Sequence, residues 1–115
     1  MNEVIVLIRK SPFNTIRNSE ALRMSVGLTL EDNRVTVVFL GDSVYLMLEN
    51  KPELVSSGII QKHIETLQLL KHRIIVEKEA FEKLDKSRIK YKNVEILNKT
   101  QIAEIVSAGD VVIAY

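Results

Sequence analysis

The feature that most constrains this chain is a pair of continuous β-branched runs joined by a segment of helix length. Val4-Ile5-Val6-Leu7-Ile8 is followed by a polar turn, Arg9–Thr15, then by a helix-like stretch to about Leu30, and then by Val35-Thr36-Val37-Val38-Phe39-Leu40, which ends in Gly41-Asp42-Ser43. This pattern reads as a β-α-β unit. Strands that are apolar on both sides belong to a parallel sheet covered by helices on both faces. In such sheets ligands and partners meet the loops at the carboxyl ends of the strands. Here those loops are Arg9–Thr15 and Gly41–Val44.

The rest of the chain extends the same alternation. Within the first helical stretch, Ala21, Leu22, Ser25, Val26 and Thr29 share one small and apolar face, which Met24 and Leu28 widen. Its start is capped by Asn14 or, later, by Ser19. Glu31–Arg34 is a polar turn. Asp42 or Ser43 is placed to cap a short helix to about Leu48, broken by Pro52. A helix from Ser56 or Ser57 to about Leu70 carries the stripe Ile60, His63, Ile64, Leu67 and Leu70. Arg73-Ile74-Ile75-Val76 is a third strand, and Glu77–Leu84 a helix with Ala80, Phe81 and Leu84 inward. Asp85–Asn93 reads as loop. Val94-Glu95-Ile96-Leu97 is a fourth strand, placed at a sheet edge because Glu95 interrupts it. Asn98 and Gln101 form a capping-box pair opening the last helix, with Ile102, Ile105 and Val106 toward the sheet. Gly109 is read as its stop. The chain closes on Val111–Tyr115. So apolar a strand calls for neighbours on both sides, which places it inside the sheet or at an interface. Five strands alternating with helices predict a three-layer α/β/α sandwich.

A length of 115 residues allows one domain with one hydrophobic core. The hydrophobic share of 46% and charged share of 27% are those of an ordinary globular chain, and a net charge of +1 favours neither nucleic acid nor an acidic coat. No apolar run approaches the roughly 20 residues of a membrane helix. Met1-Asn2-Glu3 carries no export signal, so the expected compartment is the cytoplasm. The cysteine count is zero. That removes disulfides, thiolate ligands, thiol nucleophiles and persulfide carriage from this chain. The two histidines, His63 and His72, are not at metal-binding spacing.

The chain resembles the DsrE/DsrF-like family of sulfur-relay proteins, and within it the DsrF/TusC type. The resemblance is carried by Val4–Ile8 followed by Ser11-Pro12 and Thr15, by Glu20 and Leu22, and by Val37-Val38-Phe39 with Asp42 and Val44. It closes on Gly109-Asp110-Val111-Val112-Ile113 before a final aromatic residue. It covers nearly the whole length. It implies a five-stranded parallel sheet of order 4-3-2-1-5. It also implies assembly as a homo-oligomer, trimer or hexamer, or as a hetero-oligomer with related DsrE-like subunits. One subunit type of the family carries a persulfide on a cysteine just after the third strand. That place falls here at Val76 or Glu77, neither of which holds sulfur. The resemblance thus implies a supporting, non-catalytic role without a cofactor.

Several groups remain as candidates. Ser11, Asn14, Thr15, Asp42 and Ser43 are a polar cluster at the strand ends, able to meet a small anion or a partner, or simply to form turns and caps. There is no Gly-rich phosphate loop, since no glycine precedes Gly27. Val44, Tyr45, Leu46, Met47 and Leu48 are too apolar for a short exposed helix, and Val44, Tyr45, Met47 and Leu48 are read as a subunit contact. His63 sits on an apolar stripe as a buried or interface residue, and His72 at an exposed turn. The basic run Lys83, Lys86, Arg88, Lys90 and Lys92 is read as a solvated face rather than an RNA surface. Three functions of different class are compatible with these groups. They are a subunit of a sulfur-relay assembly, a small-molecule or anion binder at Ser11, Asn14 and Asp42, and an enzyme using Asp42, Glu77 or His63. The last lacks paired carboxylates and a nucleophile–base pair.

Overall fold

The computed structural model describes residues 2–9, 23–28, 33–41, 43–44, 57–82 and 94–114. Strand β1 is Asn2–Ile8, and residues 23–28 are helical (α1). Strand β2 is Asn33–Phe39, helix α2 is Ser57–Leu69, strand β3 is Arg73–Glu77, and helix α3 is Lys78–Phe81. Strand β4 is Glu95–Leu97, helix α4 is Lys99–Ala108, and strand β5 is Val111–Ala114. The strands form one five-stranded sheet of order β4-β3-β2-β1-β5, and every pairing is parallel. The strand order that the family resemblance implies is therefore the observed one.

β1 lies between β2 and β5, and its alternation sends side chains into two cores. Val4, Val6 and Ile8 join Val35, Val37, Phe39, Ile74 and Val76 beneath Ile64 and Leu67 of α2 and Phe81 of α3, with Met24, Val26 and Leu28 of α1 packed alongside. On the opposite face Ile5, Val38 and Ile75 meet Ile102 of α4, flanked by Ile105 and Val106. Helices thus cover both faces, which is why the inner strands are apolar throughout.

β1 and β2 both begin earlier than the apolar runs. Asn33 and Arg34, expected in a turn, pair with Asn2 and Glu3, and the Arg34–Glu3 ion pair at 3.0 Å holds that register. β4 is an edge strand as expected, and its Glu95 accepts two hydrogen bonds at 2.8 Å from Nε and Nη2 of Arg73. That contact lowers the Glu95 pKa, and the same hydrogen bond raises that of Arg73. β5 is not inside the sheet. It is the second edge, hydrogen-bonded to β1 alone among the described residues, with Val111 and Val112 each 43% exposed. A β-branched run signals strand propensity; it does not report how many neighbours the strand has. β5 is tied to β1 by Asp110, whose N–H donates to the Glu3 carbonyl at 2.8 Å while its carboxylate accepts from the Glu3 N–H at 2.7 Å.

The helix ends are specified locally. Asn98 and Gln101 form the expected capping box: the Asn98 side chain accepts from the Gln101 N–H at 2.8 Å, and the Gln101 side chain accepts from the Asn98 N–H at 3.0 Å. α2 ends where Lys71 adopts φ 65°. The His72 N–H donates to the Leu67 carbonyl and the Lys71 N–H to Gln68, both at 3.0 Å, which is a Schellman motif with lysine in the position glycine usually takes. Leu70, placed on the buried stripe from its spacing, lies within this motif just before Lys71, beyond the last helical residue, and is 49% exposed. Gly109 ends α4, but not through a left-handed turn. Its φ is −74° and ψ 147°. Glycine is needed there because a Cβ would lie 2.6 Å from Cγ1 of Ile5.

Candidate functional site

The carboxyl ends of the strands are where the sequence directs attention, and there the described residues at the ends of β1 and β2 are joined by hydrogen bonds. The Leu40 N–H donates to the Ile8 carbonyl at 2.9 Å, carrying the β1–β2 ladder one residue past β2. The chain then turns at Gly41, which has φ 54°, a left-handed conformation that glycine adopts without cost. Ser43 follows, fully buried. Its hydroxyl lies 2.6 Å from the Ile8 carbonyl and 2.8 Å from the Leu40 carbonyl. With one proton to donate, it is shared between the two acceptors. The Ser43 side chain joins the ends of β1 and β2 and faces inward rather than toward a ligand. Val44 is 1% exposed and belongs to the core with Phe39 and Val76, so it is a packing residue and not a free contact surface. Ser11, Asn14, Thr15, Asp42, Tyr45, Met47 and Leu48 lie outside the described residues, as does the basic run from Lys83 to Lys92.

The end of β3 carries the position that the family resemblance singles out. Val76 is fully buried. Glu77, half-buried, is the last residue of β3 and stands at the amino end of α3 with extended backbone, its side chain making no cap. The next helical turn is linked to α4: the Glu79 carboxylate accepts from the Lys99 N–H at 3.2 Å. Its own backbone N–H first, and that of Lys99 in addition, lower the Glu79 pKa. This arrangement supplies the Glu77 and Glu79 carboxylates and a buried valine, and no thiol to accept sulfane sulfur. Among the described residues no group of three or more acidic or histidine side chains is placed to hold a metal ion, and no helix is long and apolar enough to cross a membrane.

The histidines divide. His63 is half-buried on α2, and burial, then Lys62 and Arg23, lower its pKa. His72, expected at an exposed turn, is also half-buried, and its Nδ1 accepts from the Val35 N–H at 3.1 Å. Burial lowers its pKa. The imidazole thereby caps the start of the buried part of β2, a link between positions far apart in sequence that local pattern does not reveal.

A concave region lies at the opposite, amino end of the sheet. A cavity of about 310 Å³ is lined by Glu3, Ile5, Arg34, Thr36, Arg73, Ile105, Ala108 and Gly109. Sequence reasoning, directed to the carboxyl ends, did not place a site there. The signal it had was a charged residue at or next to the start of four of the five strands: Glu3, Arg34, Arg73 and Glu95.

Comparison with known proteins places this geometry. No curated protein matches the chain. The crystal structure of the ychN protein from E. coli superposes with a TM-score of 0.86, covering 100% of both chains at 19% sequence identity. At that identity the likeness establishes the fold. The sequence matches the DsrE/DsrF-like family over residues 2–115. The chain, from its first strand to its last, belongs to the DsrE/DsrF-like family.

Proposed function

We propose that this protein is a non-catalytic subunit of an intracellular, cytoplasmic sulfur-relay assembly, acting through contacts with related chains. The observation that carries this reading is a family member with no cysteine. At the end of β3, where a persulfide-bearing relative has its cysteine, this chain has buried Val76 and then Glu77. Sulfane sulfur needs a thiolate to be received, so the chemistry belongs to a partner subunit. The edge strand β5 supports a docking role. Val111 and Val112 are exposed on it, and only its β1 side is hydrogen-bonded among the described residues. Exposed β-branched edges of this kind are templates for association unless covered.

The test is co-expression with cysteine-bearing DsrE-like paralogues, followed by light scattering and persulfide labelling. The expected result is a defined oligomer, trimeric, hexameric or mixed, in which label appears only on the partner. A monomer at all concentrations that ignores every such paralogue would overturn the proposal.

A further inference from the structure

The amino-end cavity lies away from the β3 terminus, and a ligand bound there is independent of the proposed relay role. Strand register builds it. Thr36 of β2 is level with Ile5 of β1 and Arg73 of β3, and Arg34 is level with Glu3 one step earlier on the same face. Ile105, Ala108 and Gly109 at the end of α4 wall it on the β1 side, and the missing Cβ of Gly109 lets that helix end approach Ile5. The floor is buried and the rim charged: Ile5 and Thr36 are 2% and 1% exposed, whereas Arg34 and Arg73 reach solvent.

Three features point to an anionic ligand with an apolar body. First, the Thr36 hydroxyl is buried at the cavity and has no hydrogen-bond partner among the described residues. A buried hydroxyl without a partner is costly, and a bound acceptor would satisfy it. Second, two guanidinium groups line the cavity, those of Arg34 and Arg73, each paired on one side with a carboxylate, Glu3 and Glu95. Third, those guanidinium groups keep donors in reserve. Arg73 uses Nε and Nη2 toward Glu95, and Arg34 uses Nη1 toward Glu3. A guanidinium has five N–H groups, so both retain several.

We propose that this cavity binds a small organic monocarboxylate, its carboxylate held by Arg34, Arg73 and the Thr36 hydroxyl and its apolar body against Ile5, Ile105 and Ala108. The volume suits a ligand at the small end of the usual range. The probe is benzoate, with benzyl alcohol as its uncharged counterpart, each titrated to about 10 mM, a range set by the modest affinity of ligands this small. The full chain is followed through its amide resonances. Benzoate is expected to shift Ile5, Thr36, Ala108 and Gly109 saturably, and benzyl alcohol to bind at least about tenfold more weakly, since it cannot make charge-assisted hydrogen bonds. Replacing the exposed arginines, Arg34→Met with Arg73→Met, should weaken benzoate by a similar factor in a chain whose spectrum stays dispersed. Thr36→Val supplies a second readout: it should weaken benzoate severalfold while raising the melting temperature, because it removes a buried hydroxyl that has no partner among the described residues. The proposal is overturned by equal response to the two probes or by absence of saturable shifts. Unchanged benzoate binding in the arginine variant, or a lowered melting temperature for Thr36→Val, also overturns it.

Discussion

Gly109→Ala isolates one packing contact from the backbone effects that usually accompany glycine replacement. The backbone at Gly109, φ −74° and ψ 147°, is open to any L-residue. On that ground alone, alanine should stabilise the protein by about 0.4–1 kcal/mol, through the lost freedom of the unfolded chain. The new Cβ, however, falls 2.6 Å from Cγ1 and 3.4 Å from Cδ1 of Ile5. Ile5 is 2% exposed and packed among Val38, Ile75 and Ile102, so it cannot swing away without disturbing them. Overpacking of this kind costs about 1–3 kcal/mol. Taking about 2 for the clash and about 0.7 for the entropy leaves a net loss near 1.3 kcal/mol, a fall of several degrees in Tm for a chain of this length. Urea unfolding of the double-mutant cycle with Ile5→Ala is the assay. Ile5→Ala alone costs about 2–5 kcal/mol. In its background the clash is gone, and Gly109→Ala should reverse sign and stabilise, giving a coupling near 2 kcal/mol. Stabilisation by Gly109→Ala in the wild-type background, or an equal cost in both, would refute the steric account of this glycine.

Lys71→Gly should stabilise the protein by about 0.5–1 kcal/mol, because lysine at φ 65° bears the left-handed penalty that glycine lacks; a lower urea midpoint would contradict the Schellman assignment. Asn98→Ala removes the side-chain acceptor of the Gln101 N–H, while the backbone N–H of residue 98 still donates to the Gln101 side chain, and should cost about 1 kcal/mol, largely restored by Asn98→Asp, as read by thermal unfolding. For His72, burial holds the folded pKa below the unfolded value, so its contribution is complete above the unfolded pKa near 6.5 and is lost as pH falls through that value toward the folded one. The loss accompanies breakage of the Val35 N–H bond, which needs the Nδ1 lone pair. Stability measured from about pH 8 down to about pH 5 should therefore decline, and less steeply in His72→Asn; a flat profile in the wild type, or an unchanged slope in the variant, would refute this.

Much of the fold was legible because the burial of each strand is written in contiguous residues. Val4–Ile8 and Val35–Phe39 are apolar on both faces since helices cover both, and Asn98 with Gln101 is a local pair whose partners lie three residues apart. What escaped depends on contacts across the sequence. Nothing near Val111 and Val112 distinguishes an edge from an inner position, because that is decided by whether another strand lies beyond β5. Gly109 was rightly placed at a helix end, but the residue that demands it is Ile5. Ser43 read equally as a ligand contact or a cap, and only the arrival of Ile8 and Leu40 carbonyls at its hydroxyl decides its use. His72 looked exposed between two cations until β2 brought the Val35 N–H to it.

These contacts give the two ends of the sheet different characters. At the carboxyl end of β1 and β2, the Ser43 hydroxyl is consumed by backbone carbonyls and Val44 by the core. Among the described residues the Ser43 hydroxyl there does internal work, and the end of β3 offers no thiol. At the amino end the balance is reversed. Arg34 and Arg73 have donors left after their ion pairs, and Thr36 has a buried hydroxyl that nothing among the described residues accepts from or donates to. Proteins satisfy nearly all buried polar groups, and a hydroxyl without a partner at a cavity is the group that the proposed ligand would satisfy. An α/β sheet is usually searched at its carboxyl edge because helix amino termini gather there. In this chain the unsatisfied groups, rather than that habit, indicate where an outside molecule has something to gain.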